Sequence, residues 1–377
     1  MSGLASKRVL FPFVGDSVGG AHISAALLIE GLGLTDYTPV VVIHEDGPLG
    51  PFLEARGITY QRLALPNYVG TRAGPVQTTW DIAHITPRLV RFMRDEDISI
   101  VHCNDTRMNL SWVLPARLSR TRFVWHQRAV VSQQRSLRPL IRSANAVMCI
   151  SEYVRKGLPP GVDSVVIDNP FVRAAVDRRT AREELARNVG HVDDETLVIG
   201  FFGRLVGWKH PETVIDTVAT IRNRSSRSVI ACLFGADPDD LASQLTDHAK
   251  RLGVAHRIDL MGFKDPVAPW IAASDVVLAP SEDEPFGRSL VEAMLLGTPV
   301  VASRSGAHPE VIEDGRTGLL VDLGNVEQMA AAVEALADDA GLRDRIIAAA
   351  LEKARAHYSV DSHVAKVLEL YESILTR

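Results

Sequence analysis

Short apolar runs alternate with amphipathic stretches of helical period along nearly the whole chain. This alternation of strand-sized and helix-sized segments is typical of β-α-β units and parallel sheets. The series starts again after a charged break near the middle, which predicts an α/β fold with two doubly wound, Rossmann-like domains. The predicted strands are Val9–Val14, Val40–His44, Ile58–Leu63, Ile98–Cys103, Arg122–His126, Ala146–Ile150, Ser164–Ile167, Leu197–Phe202, Val229–Phe234, Ile258–Gly262, Asp275–Ala279, Pro299–Ala302 and Gly318–Val321.

The charged break also sets the predicted domain boundaries. We place an N-terminal domain at 1–170, an interdomain linker at 171–194 and a second domain at 195–358. Residues 359–377 contain an amphipathic helix that could pack on either domain, and we assign it to the N-terminal one. Ligands of open parallel sheets bind beyond the carboxyl ends of the strands, so two such sheets facing each other would form one central cleft.

The composition is that of a globular protein with two domains. Its 377 residues exceed the roughly 250–300 at which single cores stop growing, and 46% are hydrophobic and 23% charged. No apolar run approaches the roughly 20 residues of a membrane-spanning helix, and the first run is too short for a signal peptide. The net charge of −5 argues against a nucleic-acid partner. Cys103, Cys149 and Cys232 lie in or beside apolar runs, which predicts reduced core thiols and a cytoplasmic protein.

The strongest chemical signal is an acidic loop that follows a predicted strand, with Pro285 to Gly287 opening a helix. Amides of Phe286 and Gly287 at this helix start would favour an anion such as a diphosphate. Glu284 lies before the helix and Glu292 about two turns into it. Carboxylates accept paired hydrogen bonds from vicinal hydroxyls, which suits a sugar ring and a ribose. The alternative is an ordinary acidic loop and a solvated glutamate.

Two glycine-containing loops give further signals. Arg204 and Lys209 lie on the loop after the first strand of the second domain, where two cations could clamp a diphosphate and neutralise its leaving charge. Gly19 and Gly20 lie between the first strand and a helix, without the GxGxxG spacing of the dinucleotide fingerprint. The amides of Gly19 and Gly20 could approach a phosphate. The alternative for this loop is a plain tight turn, and the alternative for the loop with Arg204 and Lys209 is two surface cations.

Together these segments resemble the retaining family-four glycosyltransferases, which belong to glycosyl transferases group 1 and have the GT-B fold. The resemblance covers the second domain densely and the first domain thinly. Its most specific element is the pair of glutamates with seven residues between them. The motifs that carry it are Gly19-Gly20, Gly203-Arg204…Lys209, Glu284-Pro-Phe-Gly…Glu292-Ala-Met, Gly297-Thr-Pro-Val-Val and Pro309-Glu-Val-Ile…Asp314-Gly-Arg-Thr-Gly-Leu-Leu-Val.

The resemblance implies a nucleotide diphosphate sugar, with UDP as the commonest nucleotide, as the donor. Arg204 and Lys209 would hold the diphosphate, Glu284 the sugar hydroxyls and Glu292 the ribose hydroxyls. It also implies that no metal and no cofactor is needed. The remaining implied donor contacts are backbone groups of Phe286, Gly287 and Arg288, the glycines Gly19 and Gly20 near the β-phosphate, and Phe263 and Lys264 beside the base.

The resemblance further implies catalytic roles for His126, Arg204, Lys209 and Glu284. His126 ends a strand of the first domain and matches the family's histidine between donor sugar and acceptor; a structural histidine at a strand end is the alternative. Retention of the anomeric configuration follows from the resemblance alone. No carboxylate of the first domain stands out as a nucleophile, which favours front-face substitution with the leaving phosphate helping to deprotonate the acceptor.

Arginines are concentrated in one segment of the first domain. Residues 101–142 contain eight arginines and the single acid Asp105. Such a concentration suits an anionic acceptor, a lipid-linked acceptor or peripheral contact with the inner face of a membrane, and scattered solvated arginines are the alternative. The predicted acceptor-side residues are Asn104, Arg128, Arg135 and Arg138.

Two other functions compete with sugar transfer in glycan, glycolipid or glycoside synthesis. One is a sugar-nucleotide enzyme that transfers nothing, such as a UDP-sugar 2-epimerase. Because epimerisation needs an acid and a base beside the sugar, the Glu284 and Glu292 pair with Arg204 and Lys209 fits transfer better. The other is a non-catalytic sugar-nucleotide sensor or partner subunit.

Overall fold

A computed structural model describes residues 7–65, 75–130, 137–190, 192–193 and 195–376, with 75–79 described by backbone alone. The chain divides into two compact units. Unit 1 comprises Met1–Phe171 and Ser359–Arg377, and unit 2 comprises Val172–Tyr358. Each unit contains one parallel sheet with helical crossovers, as predicted from the alternating pattern.

Unit 1 is built on a sheet of order β3-β2-β1-β4-β5-β6-β7. The strand order reverses between β1 and β4, so the loops after these two strands diverge at the carboxyl edge, where ligands of doubly wound sheets bind. The strands are β1 (Lys7–Phe13), β2 (Tyr37–Ile43), β3 (Gln61–Arg62), β4 (Ile98–Cys103), β5 (Arg122–Gln127), β6 (Ala146–Cys149) and β7 (Val165–Val166). The helices before residue 171 are α1 (Gly20–Leu32), α2 (Leu49–Ala55), α3 (Pro75–Asp95), α4 (Thr106–Ser119), α5 (Arg138–Ile141) and α6 (Glu152–Lys156).

Unit 2 repeats the scheme with a sheet of order β10-β9-β8-β11-β12-β13. Its order reverses between β8 and β11, which places the loops after these strands at the switch point. The strands are β8 (Leu197–Phe202), β9 (Val229–Phe234), β10 (Ile258–Gly262), β11 (Val276–Ala279), β12 (Val300–Ser303) and β13 (Leu319–Val321). The helices are α7 (Arg178–Val189), α8 (Pro211–Arg224), α9 (Ala242–Arg251), α10 (Ala268–Ala273), α11 (Arg288–Leu296), α12 (His308–Val311), α13 (Val326–Asp338) and α14 (Ala340–His357).

The last helix, α15 (Val360–Leu375), packs on α1 of unit 1. Its apolar face, including Val367 and Tyr371, joins the hydrophobic core of that unit. Ser359 caps the helix start with its hydroxyl and forms a bridge with Phe171, the last residue of unit 1 before the chain enters unit 2. No helix of the described residues is long and apolar enough to cross a membrane.

The segment 171–194, expected to be a linker, differs from that expectation because half of it is helix α7 of unit 2. Asp177 caps the helix by accepting a hydrogen bond from the amide of Thr180 at 2.8 Å. Arg182 donates to the carbonyl of Ala273 at 2.8 Å and to that of Thr196. The charges that break the apolar pattern are therefore the polar face of a short helix, whose arginines bind carbonyls at the end of α10 and before β8.

Replacing Arg182 with methionine should lower the free energy of unfolding by roughly 2 kcal/mol, because hydrogen bonds from charged groups contribute about 1.5–3 kcal/mol. Arg179→Met is the matched control on the same helix, since the Arg179 side chain is 89% exposed and its exposed ion pair contributes little. Urea denaturation of both variants measures the difference. Equal stability of the two variants would show that α7 is not anchored through Arg182.

Candidate functional site

The loops after β8, β11 and β12 are joined by hydrogen bonds at the carboxyl edge of the unit 2 sheet. The amide of Glu282 donates to the carbonyl of Trp208 at 2.8 Å, which ties the loop after β11 to the loop after β8. The amide of Ala307 donates to the carbonyl of Glu284, also at 2.8 Å, and the amide of Asp283 donates to the Ser305 hydroxyl at 2.9 Å. The acidic loop is therefore fixed from both sides.

Lys209 and Glu284, which the sequence assigns to different parts of a donor site, form an ion pair. Lys209 Nζ lies 2.7 Å from Glu284 Oε2, and the two side chains are only 15% and 12% exposed. Burial alone would raise the pKa of Glu284. The Lys209 ammonium, His308 and the amide of Gly287 outweigh that cost and hold this pKa below its ordinary value, so Glu284 is ionised.

Two glycines allow the backbone to close around Glu284. Gly306 has φ +57, and a Cβ there would lie 2.4 Å from the backbone nitrogen and oxygen of Glu284. Gly287 has φ +92 and caps α11. Any larger residue at Gly306 would displace the acidic loop, because the contact is with backbone and not with a flexible side chain.

The second glutamate of the motif lies nearer the helix start than predicted. Helix α11 begins at Arg288, so Glu292 is about one turn into it and not two. The sequence suggested that the amides of Phe286 and Gly287 are free at the opening of the helix. Gly287 is instead the N-cap residue, and its amide hydrogen-bonds to the Glu284 carboxylate. Glu292 accepts a hydrogen bond from Arg288 Nη2 at 3.2 Å. Burial raises the pKa of Glu292, and Arg288 opposes this only in part.

The other predicted donor residues differ in exposure. Arg204 is exposed, and no carboxylate within the described part of the chain pairs with it. Phe286 is 4% exposed and packs against the Tyr358 ring, so only its backbone could contact a ligand. Phe263 is 72% exposed at the end of β10, and Lys264 Nζ lies 5.5 Å from the ring centroid of Trp270.

The sequence reasoning missed Gly235 and His308. A Cβ on Gly235, at the end of β9, would lie 1.9 Å from the carbonyl oxygen of Gly203, so this glycine lets the loop that bears Arg204 lie against the neighbouring strand end. His308 is 1% exposed, donates from Nδ1 to the Ser303 carbonyl at 2.9 Å and acts on the Glu284 carboxylate. The one signal in the sequence for Gly235 was its position directly after a predicted strand, where the other candidate loops also begin.

In unit 1 the loop after β1 is held by contacts with residues that follow β2 and β4. A Cβ on Gly15 would lie 2.1 Å from the carbonyl oxygen of Glu45, so this turn requires glycine, and Asp16 forms a two-point ion pair with Arg107 at 2.7 and 3.1 Å. The Gly19 amide already donates to His22 Nδ1 at 3.2 Å. Gly20 is the first residue of α1, and its amide is one that the helix itself leaves unpaired.

His126 has a buried ring nitrogen without a hydrogen-bond partner among the described residues, as does His363 on α15, whereas His44 uses both of its ring nitrogens. His44, at the end of β2, uses Nδ1 for the Leu63 carbonyl at 2.8 Å and Nε2 for the indole of Trp112 at 3.2 Å. His126 is fully buried, its Nδ1 lies 3.0 Å from His102 Nε2, and its Nε2 has no hydrogen-bond partner among the described residues. An unpaired buried polar atom is costly, which argues against a purely structural histidine.

The predicted acceptor-side arginines that the structure describes, Arg128 and Arg138, have different surroundings. Arg128 is half-buried and donates to Asn104 Oδ1 at 2.8 Å and to Asn169 Oδ1 at 2.7 Å. It therefore belongs to the cluster around His126. Arg138 is exposed and lies against Gly161, and Arg135 lies outside the described residues.

The model of the family described as glycosyl transferases group 1 matches residues 196–339. A D-inositol 3-phosphate glycosyltransferase of Corynebacterium glutamicum is 35% identical over 205 residues, which are 53% of this chain and 48% of that protein. A lipopolysaccharide core biosynthesis glycosyltransferase of Rhizobium meliloti is 33% identical over 178 residues, 47% of this chain and 50% of that protein. The chain thus spans about half the length of the curated relatives it matches.

Solved structures match nearly the whole chain. The Anabaena protein HepE, solved in complex with UDP and glucose, superimposes with a TM-score of 0.81 at 23% identity, covering 97% of this chain and 100% of that one. Sucrose-phosphate synthase from Thermosynechococcus elongatus superimposes with a TM-score of 0.77 at 18% identity, covering 98% and 99%. The predicted GT-B fold is thereby confirmed.

The lowered pKa of Glu284 predicts a pH-dependent stability. A carboxyl with a depressed folded pKa contributes stability above its unfolded pKa, about 4.5, and loses it as the pH falls through the folded value. The difference in unfolding free energy between the natural protein and Glu284→Gln should therefore be largest near pH 6 and shrink below about pH 4.5. Urea denaturation at several pH values measures it.

Glu183→Gln serves as the control for this titration, because the Glu183 side chain is 61% exposed and pairs only with a neighbour on its helix. Its difference from the natural protein should stay small and flat. A flat difference for Glu284→Gln as well would contradict the ion pair.

Proposed function

We propose that the chain is a glycosyltransferase, because residues 196–339 match the model of the glycosyl transferases group 1 family. It would transfer a sugar from a nucleotide diphosphate sugar to an acceptor. The observation that carries the proposal is the buried pair of Lys209 and Glu284, 2.7 Å apart at the switch point of the unit 2 sheet. This pair offers a cation for phosphate oxygens beside a carboxylate for sugar hydroxyls.

The donor is proposed to be a UDP-sugar held by unit 2. Glu292 would accept hydrogen bonds from the ribose hydroxyls, and the exposed ring of Phe263 would lie along the base beside Lys264. The exposed guanidinium of Arg204 and the ammonium of Lys209 would bind the diphosphate. HepE, which shares the fold, was solved with UDP and with UDP-glucose, and this supports the choice of nucleotide.

The transfer is proposed to need no metal and to retain the anomeric configuration. Negative charge develops on the leaving diphosphate during transfer. Arg204 and Lys209 would neutralise this charge. Glu284 is engaged by Lys209 and so is suited to bind hydroxyls, not to act as a nucleophile. Front-face attack, with the leaving phosphate taking the acceptor proton, fits these roles.

The acceptor side is assigned to unit 1, with Asn104, His126 and Arg128 as its polar groups. An anionic or lipid-linked acceptor is proposed because the guanidinium of Arg128 is suited to bind a negative charge. A role in the synthesis of a glycan, glycolipid or glycoside is proposed from the names of the relatives. Exposed Arg138, with Arg135, remains the proposed contact for an anionic membrane face. The buried, unpaired cysteines support a reducing compartment such as the cytoplasm.

Transfer is favoured over the UDP-sugar 2-epimerase and over a non-catalytic sensor, since both curated relatives described above are named transferases. The pure protein is screened by thermal shift against UDP-, GDP- and ADP-sugars, because a donor that binds the folded protein stabilises it by RT ln(1 + [L]/Kd). NMR then follows the stabilising donor with candidate acceptors. A transferred sugar of unchanged anomeric configuration supports the proposal, whereas an epimerised sugar, or binding without turnover, would overturn it.

Glu292→Gln should weaken UDP binding about 10- to 100-fold, because charged hydrogen bonds to the ribose hydroxyls are lost. Calorimetric titration with UDP measures this. Glu327→Gln is the control, since the Glu327 side chain is 71% exposed on α13. Equal UDP affinity of both variants would remove Glu292 from the nucleotide site.

Lys209→Met should lower kcat about 100-fold at saturating donor, because the leaving diphosphate loses a buried cation. Lys209→Arg keeps the charge and should recover part of this loss. Chelation of divalent metals should leave the rate of the natural protein unchanged. A rate that depends on added metal would contradict the assignment of charge neutralisation to Arg204 and Lys209.

A further inference from the structure

A chain of buried hydrogen bonds connects the last helix to His126. The hydroxyl of Tyr371, on α15, lies 2.6 Å from His102 Nδ1, and His102 Nε2 lies 3.0 Å from His126 Nδ1. All three side chains are fully buried in unit 1. Phe11 of β1 stacks on the His102 ring with centroids 5.3 Å apart, which fixes the plane of that ring.

Arg128 decides the direction of this hydrogen-bond chain. Its Nη2 lies 3.3 Å from His126 Nδ1, and a guanidinium can only donate. His126 Nδ1 must therefore be an acceptor without a proton. His102 Nε2 faces the same lone pair, so it must carry the proton and share the acceptor with Arg128.

The rest of the proton arrangement follows from the neutrality of both rings. Burial lowers the pKa of His102 and of His126 well below the ordinary histidine value, so each ring carries one proton. With its proton on Nε2, His102 accepts at Nδ1 from Tyr371, whose hydroxyl keeps its proton because burial raises its pKa. His126 then carries its own proton on Nε2, the atom without a partner among the described residues.

We propose that Tyr371 and His102 are positioning residues that hold His126 in its Nε2–H form, so that this buried N–H donates a hydrogen bond to an oxygen of the substrate. The inference rests on the proposed sugar transfer for the identity of that substrate, but not for the proton arrangement. The reversed arrangement, with protons on both Nδ1 atoms, would aim the Arg128 N–H at another N–H.

This arrangement restricts what His126 can do in the reaction. A neutral ring whose unpartnered nitrogen carries the proton has no lone pair there for an incoming hydroxyl, so His126 cannot be the general base that deprotonates the acceptor. It can orient a hydroxyl or a ring oxygen of the sugar. Proton removal must then fall to another group, as front-face substitution with the phosphate oxygen requires.

The test is 15N NMR of the full chain with labelled histidines, which reports which ring nitrogen carries the proton. The signals of His126 are assigned by their loss in His126→Asn. In the natural protein, His126 and His102 should both be protonated at Nε2 alone. A proton on Nδ1 of His126 would overturn the proposal without any variant and without any activity.

Tyr371→Phe removes only the hydroxyl at the far end of the chain of hydrogen bonds. It should leave His102 Nδ1 without its hydrogen-bond donor, which changes the 15N chemical shift of that nitrogen, and should lower kcat/KM for transfer about 3- to 10-fold, while UDP affinity is unchanged. Tyr37→Phe is the matched control: its ring packs on Tyr371 with centroids 5.5 Å apart, and its hydroxyl instead bonds Glu372. This control should leave the histidine protons and kcat/KM unchanged.

The outcomes separate this proposal from the proposed function. A folded Tyr371→Phe protein with unaltered histidine 15N shifts and unaltered kcat/KM would refute the positioning roles. Should the natural protein transfer no sugar, the proposed function fails, and the NMR result still decides the proton arrangement. A loss of activity shared equally by Tyr371→Phe and Tyr37→Phe would indicate damage to the packing of α15 and would also refute the roles.

Discussion

The buried ion pair between Lys209 and Glu284 is the interaction on which the arrangement of unit 2 at its carboxyl edge depends. A carboxylate and an ammonium removed from water cost several kcal/mol each, so either one alone would be strongly destabilising there. Together they hold the loops after β8 and β11 at one distance, and the backbone contact with Gly306 fixes the loop after β12 as well. The pair is modest as a source of stability and strong as a constraint on geometry.

Much of the fold could be predicted from the sequence because parallel strands buried on both faces are continuous apolar runs. The strands of unit 2 lie close to their predicted positions, whereas β3 shrinks to Gln61–Arg62 from a longer predicted run. An edge strand is paired on one side only, so its apolar residues need not extend the ladder. Helix α7 was missed because its buried face is small, with Ala181 and Leu185 as its buried residues.

The candidate site was predictable as a set of residues but not as a set of contacts. Glycine, cation and carboxylate motifs mark the ends of particular strands, and sheet topology brings those ends together. That Lys209 pairs with Glu284, or that Gly235 touches Gly203, depends on loop conformations that spacing does not encode. The link from His126 to Tyr371 joins residues 245 positions apart through His102, whose separation from Tyr371 is 269. The catalytic and donor-binding roles remain predictions.

Helix α15 makes unit 1 discontinuous in the chain, and this has a consequence for synthesis. Its core includes Val364, Val367, Tyr371 and Ile374 together with residues of β1 and α1. During translation, unit 2 can complete its core first, while unit 1 waits with an uncovered apolar face until the final helix emerges. Loss of the last few turns would thus damage the half of the protein that is made first, and would take the partner of His102 with it.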